Sequence, residues 1–556
     1  KKALLTDPAE PRNRSFAAMT SFSLTANLVD ILGRRIFPAR LVVSEGRITA
    51  VEEVAGPTEG YLIPGFVDAH VHVESSMLLP SEFARLAVTH GTVATISDPH
   101  EIANVLGIEG VDFMVTNGKK VPFHFFFGAP SCVPATTFET AGDAIDSDAV
   151  GRLLQRPEVR YLSEMMNFPG VLHGDPEVLK KIAHAHRLGK PVDGHAPGLR
   201  GDDVMRYASA GISTDHECFT HEEALDKLAA SMWVQIREGS AAKNFEALWP
   251  LLRSHPDRVM LCSDDKHPDG LVDGHINTLC ARAVALGVDV FDVLRAACLN
   301  PRDHYTLPIG RLRVGDAADM VLLEDLVDFK VRRTWIEGRL VAENGNTLIE
   351  RVPEESPNRF HCTPVRLEDL RVPSTGSERL VIGALDGQLV TTKLHMPEHA
   401  EHGLSLPDLA HDVLKLVVVD RYTDRYKAVA WVHGFGLKHG ALAGSVAHDS
   451  HNIVAVGTTD EELCEAINAV IAHKGGISVA HGGTHRLLPL PVAGLMSDAD
   501  AFTVADAYSA LDREAKALGS PLSAPFMTLS FMALLVIPHL KLSDRGLFDG
   551  DTFQLI

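Results

Sequence analysis

Six side chains of metal-ligating type carry the clearest chemical signal in this 556-residue chain. The first two, His70 and His72, are separated by a single residue. Residues two positions apart on a β-strand point to the same side. The other four follow short apolar runs further along the chain: Glu164, His195, His216 and Asp264. Four imidazoles and two carboxylates without a thiolate favour Zn, Mn or Fe over Cu(I) or an iron–sulfur cluster. The set therefore predicts two divalent metal ions, bridged by a carboxylate and a hydroxide.

The chemistry expected of such a centre is hydrolysis. Two ions lower the pKa of a bridging water towards neutrality and polarise the bond that it attacks. Taken singly, each of the six residues is more often a surface group or a satisfied polar group. With 28 histidines in the chain, a His-x-His pair also arises by chance. The prediction therefore depends on the elements that position these residues.

The six residues stand at the ends of regularly spaced strand candidates. Periodic helical stretches separate these candidates, and residues 62–304 contain eight such repeats. The predicted strands cover 63–70, 92–97, 122–128, 160–164, 191–195, 212–216, 232–236 and 259–264. Eight strand–helix repeats in about 240 residues are typical of a (β/α)8 barrel, whose active site lies at the carboxyl ends of its strands. An open doubly wound sheet is the alternative, but no Gly-x-Gly-x-x-Gly follows any strand.

Regions with a different sequence pattern flank the predicted barrel on both sides. Residues 39–54 read as a β-hairpin around Glu45-Gly46, and residues 319–343 repeat this pattern around Glu337-Gly338. Because lone hairpins are marginally stable in water, we expect both flanks, 1–61 and 305–350, to pair into one small β domain. A proline-rich stretch follows, and residues 360–556 are predicted to form a separate C-terminal α+β domain.

Composition excludes several classes of protein. The net charge of −21 makes binding to nucleic acid or to an anionic membrane through bulk charge a poor hypothesis. Seven cysteines without a Cys-x-x-Cys pair do not form a disulfide framework, so we expect a cytoplasmic protein. Charged residues and prolines in the first 20 positions predict no signal peptide. The longest nearly apolar run, 526–537, is too short to cross a bilayer.

In these residues the chain resembles the amidohydrolase superfamily, and within it the adenine deaminases. The resemblance runs from the first hairpin through the C-terminal domain, and it includes Asp68-Ala-His70-Val-His72 and the stretch from His481 to Ser497. Its main stretches are 65–77, 98–104, 164–170, 194–199, 214–217 and 262–265. The resemblance implies a barrel hydrolase that converts free adenine and water to hypoxanthine and ammonia, with Glu164 as the bridging ligand. No lysine lies near the end of strand four to serve as a carbamylated bridge, which argues against cyclic-amide hydrolases.

Deamination also requires proton transfer. A base must take the proton of the attacking hydroxide, and an acid must protonate the purine ring. Asp264 fits the base, while Asp98, His100 and Glu101, which follow strand two, are the candidates for the acid and shuttle. We expect Asp265 and Lys266 to line the substrate pocket. The roles of four C-terminal histidines stay open: His448, His451, His481 and His485.

One apparent motif is incomplete, and two alternative functions stay open beside adenine deamination. His72-Val-Glu74 matches half of the zinc base-deaminase signature, but that signature also needs a Pro-Cys-x-x-Cys sequence, which the chain lacks. The alternatives are a related amidohydrolase acting on another heterocycle or cyclic amide, and an inactive barrel that serves as a scaffold. All six ligand positions hold competent residues, which disfavours the scaffold. We expect a homo-oligomer without nucleic-acid or membrane partners.

Overall fold

The computed structural model describes residues 21–376 and 378–556. The first 20 residues, which include the terminus expected to lack a signal peptide and the start of the predicted β domain, lie outside this part. Eight parallel strands form the central barrel. In chain order their bounds are Phe66–Val71, Thr92–Ser97, His124–Ala129, Val159–Met165, Val192–Gly194, Thr214–Asp215, Trp233–Arg237 and Val259–Cys262. We number them one to eight in chain order.

Hydrogen bonds close the barrel at the two places where the strand ladders are interrupted. The backbone N–H of Ser213 donates to the carbonyl of Val192 at 2.9 Å, which joins strands five and six. The N–H of Asp264 donates to the carbonyl of His70 at 2.9 Å, which joins strands eight and one. The barrel prediction is therefore confirmed, and the open sheet is wrong.

The predicted first strand is divided in two, which corrects the sequence-based interpretation. Residues Tyr61–Pro64 belong to the flanking sheet, and only Phe66–Val71 belongs to the barrel. The division falls at Gly65, where a Cβ atom would lie 2.3 Å from the Val93 side chain. Apolarity alone does not reveal this break, because both strands are buried and apolar. The predicted domain boundaries stay predictions.

Helices surround the barrel, as the repeat pattern predicted. Their inner faces are apolar: in helix Asp202–Ser209, for example, Val204 and Tyr207 are buried. The Thr220 hydroxyl accepts from the N–H of Glu223 and caps the next helix. The helices are Val73–Ser76, Pro80–Ala87, Val88–His90, His100–Leu106, Ile108–Gly118, Ser147–Leu154, Phe168–His173, Pro176–Arg187, Asp202–Ser209, His221–Ala229, Phe245–Leu248, Leu251–Ser254, Pro268–Asp273, Ile276–Ala285, Val290–Leu294, Arg295–Leu299 and Asn300–His304.

Strands from both flanks of the barrel pair into one eight-stranded sheet, which confirms the small β domain. Antiparallel pairing of Tyr61–Pro64 with Met320–Leu323 joins the two flanks. In spatial order the strands are Asn346–Thr347, Arg339–Glu343, Val331–Ile336, Met320–Leu323, Tyr61–Pro64, Phe22–Asp30, Arg35–Ser44 and Arg47–Glu53.

The C-terminal domain is built on a second eight-stranded sheet. In spatial order its strands are Thr392–Pro397, Glu378–Gly383, Lys427–His433, Val413–Val419, Ile453–Gly457, Ala441–Gly444, Gly476–His481 and Thr484–Pro489. Its helices are Leu367–Leu370, Leu409–His411, Asp460–Ala472, Ala501–Ala517 and Pro525–Phe531. Two small sheets complete it, formed by Val372–Pro373, Leu404–Ser405 and Ala400–Glu401, and by Leu540–Ser543, Gly546–Asp549 and Gln554–Leu555.

The C-terminal domain packs against the carboxyl ends of the barrel strands. The N–H of Ser497 donates to the carbonyl of Met77 at 2.8 Å. Arg85, on the first long barrel helix, donates to Asp500 Oδ2 at 2.6 Å. Within residues 21–376 and 378–556, every helix is too short or too polar to traverse a lipid bilayer.

Candidate metal centre and its cavity

The barrel brings the six predicted ligands together at one end. His70 lies near the end of strand one and Glu164 near the end of strand four. His195 and His216 directly follow strands five and six, and Asp264 is the second residue after strand eight. All six are buried; the most exposed is His195, at 7%. The parallel strands place their carboxyl ends at the same face of the barrel, which is why residues up to 194 positions apart converge.

His70, His72 and Asp264 form the first ligand set. The Nε2 atoms of the two histidines are 3.2 Å apart. Asp264 Oδ1 lies 3.5 Å from Nε2 of His70 and 3.2 Å from Nε2 of His72. Asp264 has a φ of 54°, a left-handed conformation that is uncommon outside glycine. This conformation and the bond from its N–H to His70 place the carboxylate beside both imidazoles.

His195 and His216 form the second set, and Glu164 lies between the two. Glu164 Oε2 is 2.8 Å from His195 Nδ1 and 3.0 Å from His216 Nε2. Its other oxygen, Oε1, is 3.3 Å from His72 Nε2. Burial alone would raise the pKa of Glu164, but His195 and His216 hold it well below its usual range. Burial would likewise lower the pKa of His216, yet Glu164 raises it to about 10.

This donor set fits divalent metal ions. Imidazole nitrogens and carboxylate oxygens of the six residues face one another from several strands. Groups of three such atoms lie within 4.8 Å of each other, among them His70 with His216 and Asp264, and Glu164 with His195 and His216. Two imidazole nitrogens 3.2 Å apart cannot both carry a proton without mutual repulsion, whereas a cation between them satisfies both lone pairs. Imidazole and carboxylate ligands suit Zn, Mn and Fe.

Of the three proton-transfer candidates, Asp98 and His100 lie beside Glu164, and Glu101 lies on the far side of the His100 ring. His100 Nδ1 is 3.4 Å from Glu164 Oε1 and 3.1 Å from Asp98 Oδ2. On its other side, His100 Nε2 is 3.4 Å from Glu101 Oε1 and 3.6 Å from Asp449 Oδ1. The His100 ring therefore links the ligand face of Glu164 to two further carboxylates, and it is surrounded by acceptors on both edges.

Arg237 and Glu217 are buried functional residues that the sequence reasoning missed. Arg237 ends strand seven and donates to both oxygens of Glu217 and, at 2.6 Å, to Asp264 Oδ2. Burial alone would raise the pKa of Glu217, but Arg237 lowers it to about 2. The sequence did hold a signal for Arg237. It is an arginine at the carboxyl end of a predicted barrel strand, and the next strand leads to the ligand Asp264.

The C-terminal domain supplies part of the same site. His448 Nδ1 donates to one oxygen of the Glu101 carboxylate, and His451 Nε2 donates to the other. The backbone N–H of Ala447 donates to His451 Nδ1 at 3.3 Å, so His451 has both nitrogens engaged. His448 and His451 thus reach the site within the same chain. His481 and His485, by contrast, lie on an exposed hairpin, where they pair with Glu462 and Glu465.

A small cavity lies above the ligand sets. Its lining combines the ligands with side chains from both domains: His72, His100, Glu101, Glu164, Met166, His195, His216, Glu217, Asp264, Asp265, Leu389, His448, Asp449, Phe531 and Leu534. Asp265 reaches the cavity, where Ser75 Oγ donates to its Oδ1. Lys266 is absent from this lining; its side chain is half-buried outside the cavity, where desolvation lowers the pKa of the ammonium.

Glu74, set aside in the sequence as a partial motif, has a supporting position. Its Oε1 accepts from the N–H of Ile102 at 3.2 Å, in the first turn of the helix that carries His100 and Glu101. Burial raises the pKa of Glu74 to about 7. Glu74 does not line the cavity, so its contact is with the helix rather than with a ligand.

Comparisons with known proteins agree with this architecture. Residues 61–341 match the model of the amidohydrolase family, and residues 388–554 match that of the adenine deaminase C-terminal domain. The chain is 57% identical to the adenine deaminase of Salinibacter ruber over 538 residues, covering 96% of this chain and 98% of the relative. It is 55% identical to the adenine deaminase of a Sulfurovum species, covering 96% and 99%.

Proposed function

Because the chain belongs to the amidohydrolase family, and within it to the adenine deaminases, we propose that its two ligand sets hold two divalent metal ions for the hydrolytic deamination of adenine. The enzyme removes the amino group of adenine by hydrolysis, so that adenine and water give hypoxanthine and ammonia. One set is His70, His72 and Asp264, and the other is His195 and His216. The observation that carries the proposal is that the two oxygens of Glu164 face different sets.

When bound, two such ions would lower the pKa of the attacking water and polarise the carbon–nitrogen bond. The chain's own residues would then orient the substrate and move protons. Asp264 faces both first-set histidines through Oδ1 and Arg237 through Oδ2, so it is held where a base is needed. The donor types leave Mn, Fe and Zn as candidates.

We assign proton transfer to His100. Its Nδ1 faces Glu164, and its Nε2 faces Glu101 and Asp449. Asp98 Oδ1 accepts from the backbone N–H of His100 at 3.1 Å, and Asp98 Oδ2 lies 3.1 Å from His100 Nδ1, which orients the ring. Both oxygens of Glu101 are occupied by His448 and His451, which leaves Glu101 as a fixed partner of His100.

Metal analysis alongside ammonia release from adenine tests the ligand assignment. Glu164→Gln should reduce the bound metal below two ions per chain and lower turnover by more than about a hundredfold. The matched control is Glu139→Gln, at a buried carboxyl outside the cavity lining whose pKa burial raises to about 8. Full metal content in Glu164→Gln would contradict the assignment.

A second experiment separates His100 from its neighbours. His100→Asn should lower kcat at least about a hundredfold at unchanged metal content, because a positioned proton carrier contributes on the order of 10²–10⁴. Glu101→Gln should lower it less, since Glu101 acts through His100. Near-normal turnover in His100→Asn would place the shuttle elsewhere.

All seven cysteines are free, which supports a reducing, cytoplasmic location.

A further inference from the structure

The roof of the cavity comes from the C-terminal domain and has no part in the ligand sets. Leu389, Phe531 and Leu534 give it an apolar surface, and His448 and Asp449 give it two polar groups. The Phe531 ring lies 5.2 Å from the His448 ring, centroid to centroid. Apolar side chains with a few convergent polar groups are the usual lining of a site for a planar heterocycle.

Two polar atoms of this roof have no hydrogen-bond partner among residues 21–376 and 378–556. They are Asp449 Oδ2 and His448 Nε2, and their residues are only 4% and 2% exposed. The remaining polar atoms of both side chains are directed elsewhere: Asp449 Oδ1 towards His100 and His448 Nδ1 to Glu101. A buried polar atom without a partner is destabilising, so the two free atoms indicate the hydrogen-bonding edge of a ligand.

The chemistry of adenine matches this pair of atoms. The carbon that carries the amino group must face Glu164 and the ligand sets, so the opposite edge faces away from them. That edge carries the imidazole-ring N–H and a ring nitrogen that accepts. A carboxylate oxygen only accepts hydrogen bonds, and it therefore matches the N–H, while His448 lies next to it for the ring nitrogen.

We propose that Asp449 selects the free base by accepting a hydrogen bond from the imidazole-ring N–H of adenine, with His448 beside it. The inference rests on the proposed function, because it takes the amino group to lie at the ligand sets. The His100 ring lies between Glu164 and Asp449 and separates the two ends of the site. A nucleoside has a sugar in place of that hydrogen, so Asp449 would stay unpaired and the sugar would meet Phe531 and Leu534.

The test compares adenine with 9-methyladenine in Asp449→Asn and Asp449→Ala. For adenine, kcat/KM should fall about tenfold to a hundredfold, the range expected when a charged hydrogen bond is lost. For 9-methyladenine it should stay the same or rise in Asp449→Ala, which removes both the unpaired carboxylate and its bulk. Hypoxanthine, added alone in calorimetry, should bind at least about tenfold more weakly to both variants at unchanged metal content.

The control is Asp544→Asn, a buried carboxylate of the same domain that holds Thr140 and does not line the cavity. It should leave the preference for adenine unchanged. An unaltered preference in both Asp449 variants would overturn the inference. So would an equal fall of kcat for both bases with normal hypoxanthine affinity, since Asp449 would then act only through His100. Failure of the unmodified enzyme to release ammonia would refute the proposed function instead, while hypoxanthine binding would still test Asp449.

Discussion

At the scale of single residues, the site is organised around charges that are buried in pairs. Arg237 is 2% exposed and neutralises both Glu217 and Asp264. Glu217 Oε1 in turn lies 3.5 Å from His195 Nδ1 and 3.4 Å from His216 Nε2. One guanidinium thus connects the first ligand set, through Asp264, to the second set, through Glu217.

Removal of this guanidinium should be strongly destabilising. In Arg237→Met, two buried carboxylates lose their partner, and the free energy of unfolding should fall by about 3–5 kcal/mol. The double variant Arg237→Met/Glu217→Gln should recover part of that loss, because one of the unpaired charges is removed. Urea titrations of four proteins measure this: the unmodified protein, Arg237→Met, Glu217→Gln and the double variant. Strict additivity of the two single changes would show that the pair is not coupled.

At the scale of elements, a helix fixes the loops that carry the second ligand set. Lys227, on helix His221–Ala229, is fully buried and lies 2.7 Å from Asp215 Oδ2. Its ammonium also donates to the carbonyl of Ala196 at 2.7 Å. Asp215 accepts from the N–H groups of Ala196 and Glu217. These contacts hold the residues that directly follow His195 and His216.

Lys227→Met should therefore affect both stability and metal binding. Loss of one partner of a buried ion pair should lower the free energy of unfolding by about 3–5 kcal/mol. The loops that carry His195 and His216 should also loosen, so the bound metal at limiting metal supply should fall. Lys180→Met, which removes an exposed pair with Asp148, is the control and should change neither quantity. Equal effects of the two variants would contradict this role.

At the scale of the whole molecule, the C-terminal domain completes the cavity, and Lys541 ties its parts together. Lys541 is fully buried, and its ammonium donates to the carbonyls of Leu389 and Phe531, two residues of the cavity roof. Burial lowers the pKa of Lys541 from 10.5 to about 7. The folded protein therefore binds this proton more weakly than the unfolded chain does.

This shift has a defined consequence for stability. Between pH 7 and 10.5 the unfolded chain holds the Lys541 proton and the folded protein does not. Stability should therefore rise with pH in this window by at most about 1.4 kcal/mol per unit, and below pH 7 the destabilisation is complete. Lys541→Met should lack this slope, whereas the exposed Lys516→Met should keep it. Denaturant titrations at several pH values measure it, and parallel profiles for the unmodified protein and Lys541→Met would refute it.

Much of the fold follows from local sequence pattern. The strand at Thr92–Ser97 has the predicted bounds, and the remaining barrel strands deviate by a few residues at their ends. His195, His216 and Asp264 follow their strands rather than ending them, which does not alter their convergence. The apolar pattern of a sequence indicates which residues are buried. At strands five, six and eight, the residues after the strand are buried as well, so the pattern predicts strand ends that are too late. Strand ends are therefore less certain than strand order.

The sequence by itself determined the eight repeats, the six ligand-type residues at their ends and the flanking sheet, because each depends on local pattern and on the geometry of parallel strands. Only the tertiary structure decided the break at Gly65, the pairing of Arg237 with Glu217 and the absence of Lys266 from the cavity. It also brought His448 to Glu101, 347 positions earlier in the chain. Contacts between domains depend on how two folded surfaces pack, and no local periodicity encodes that.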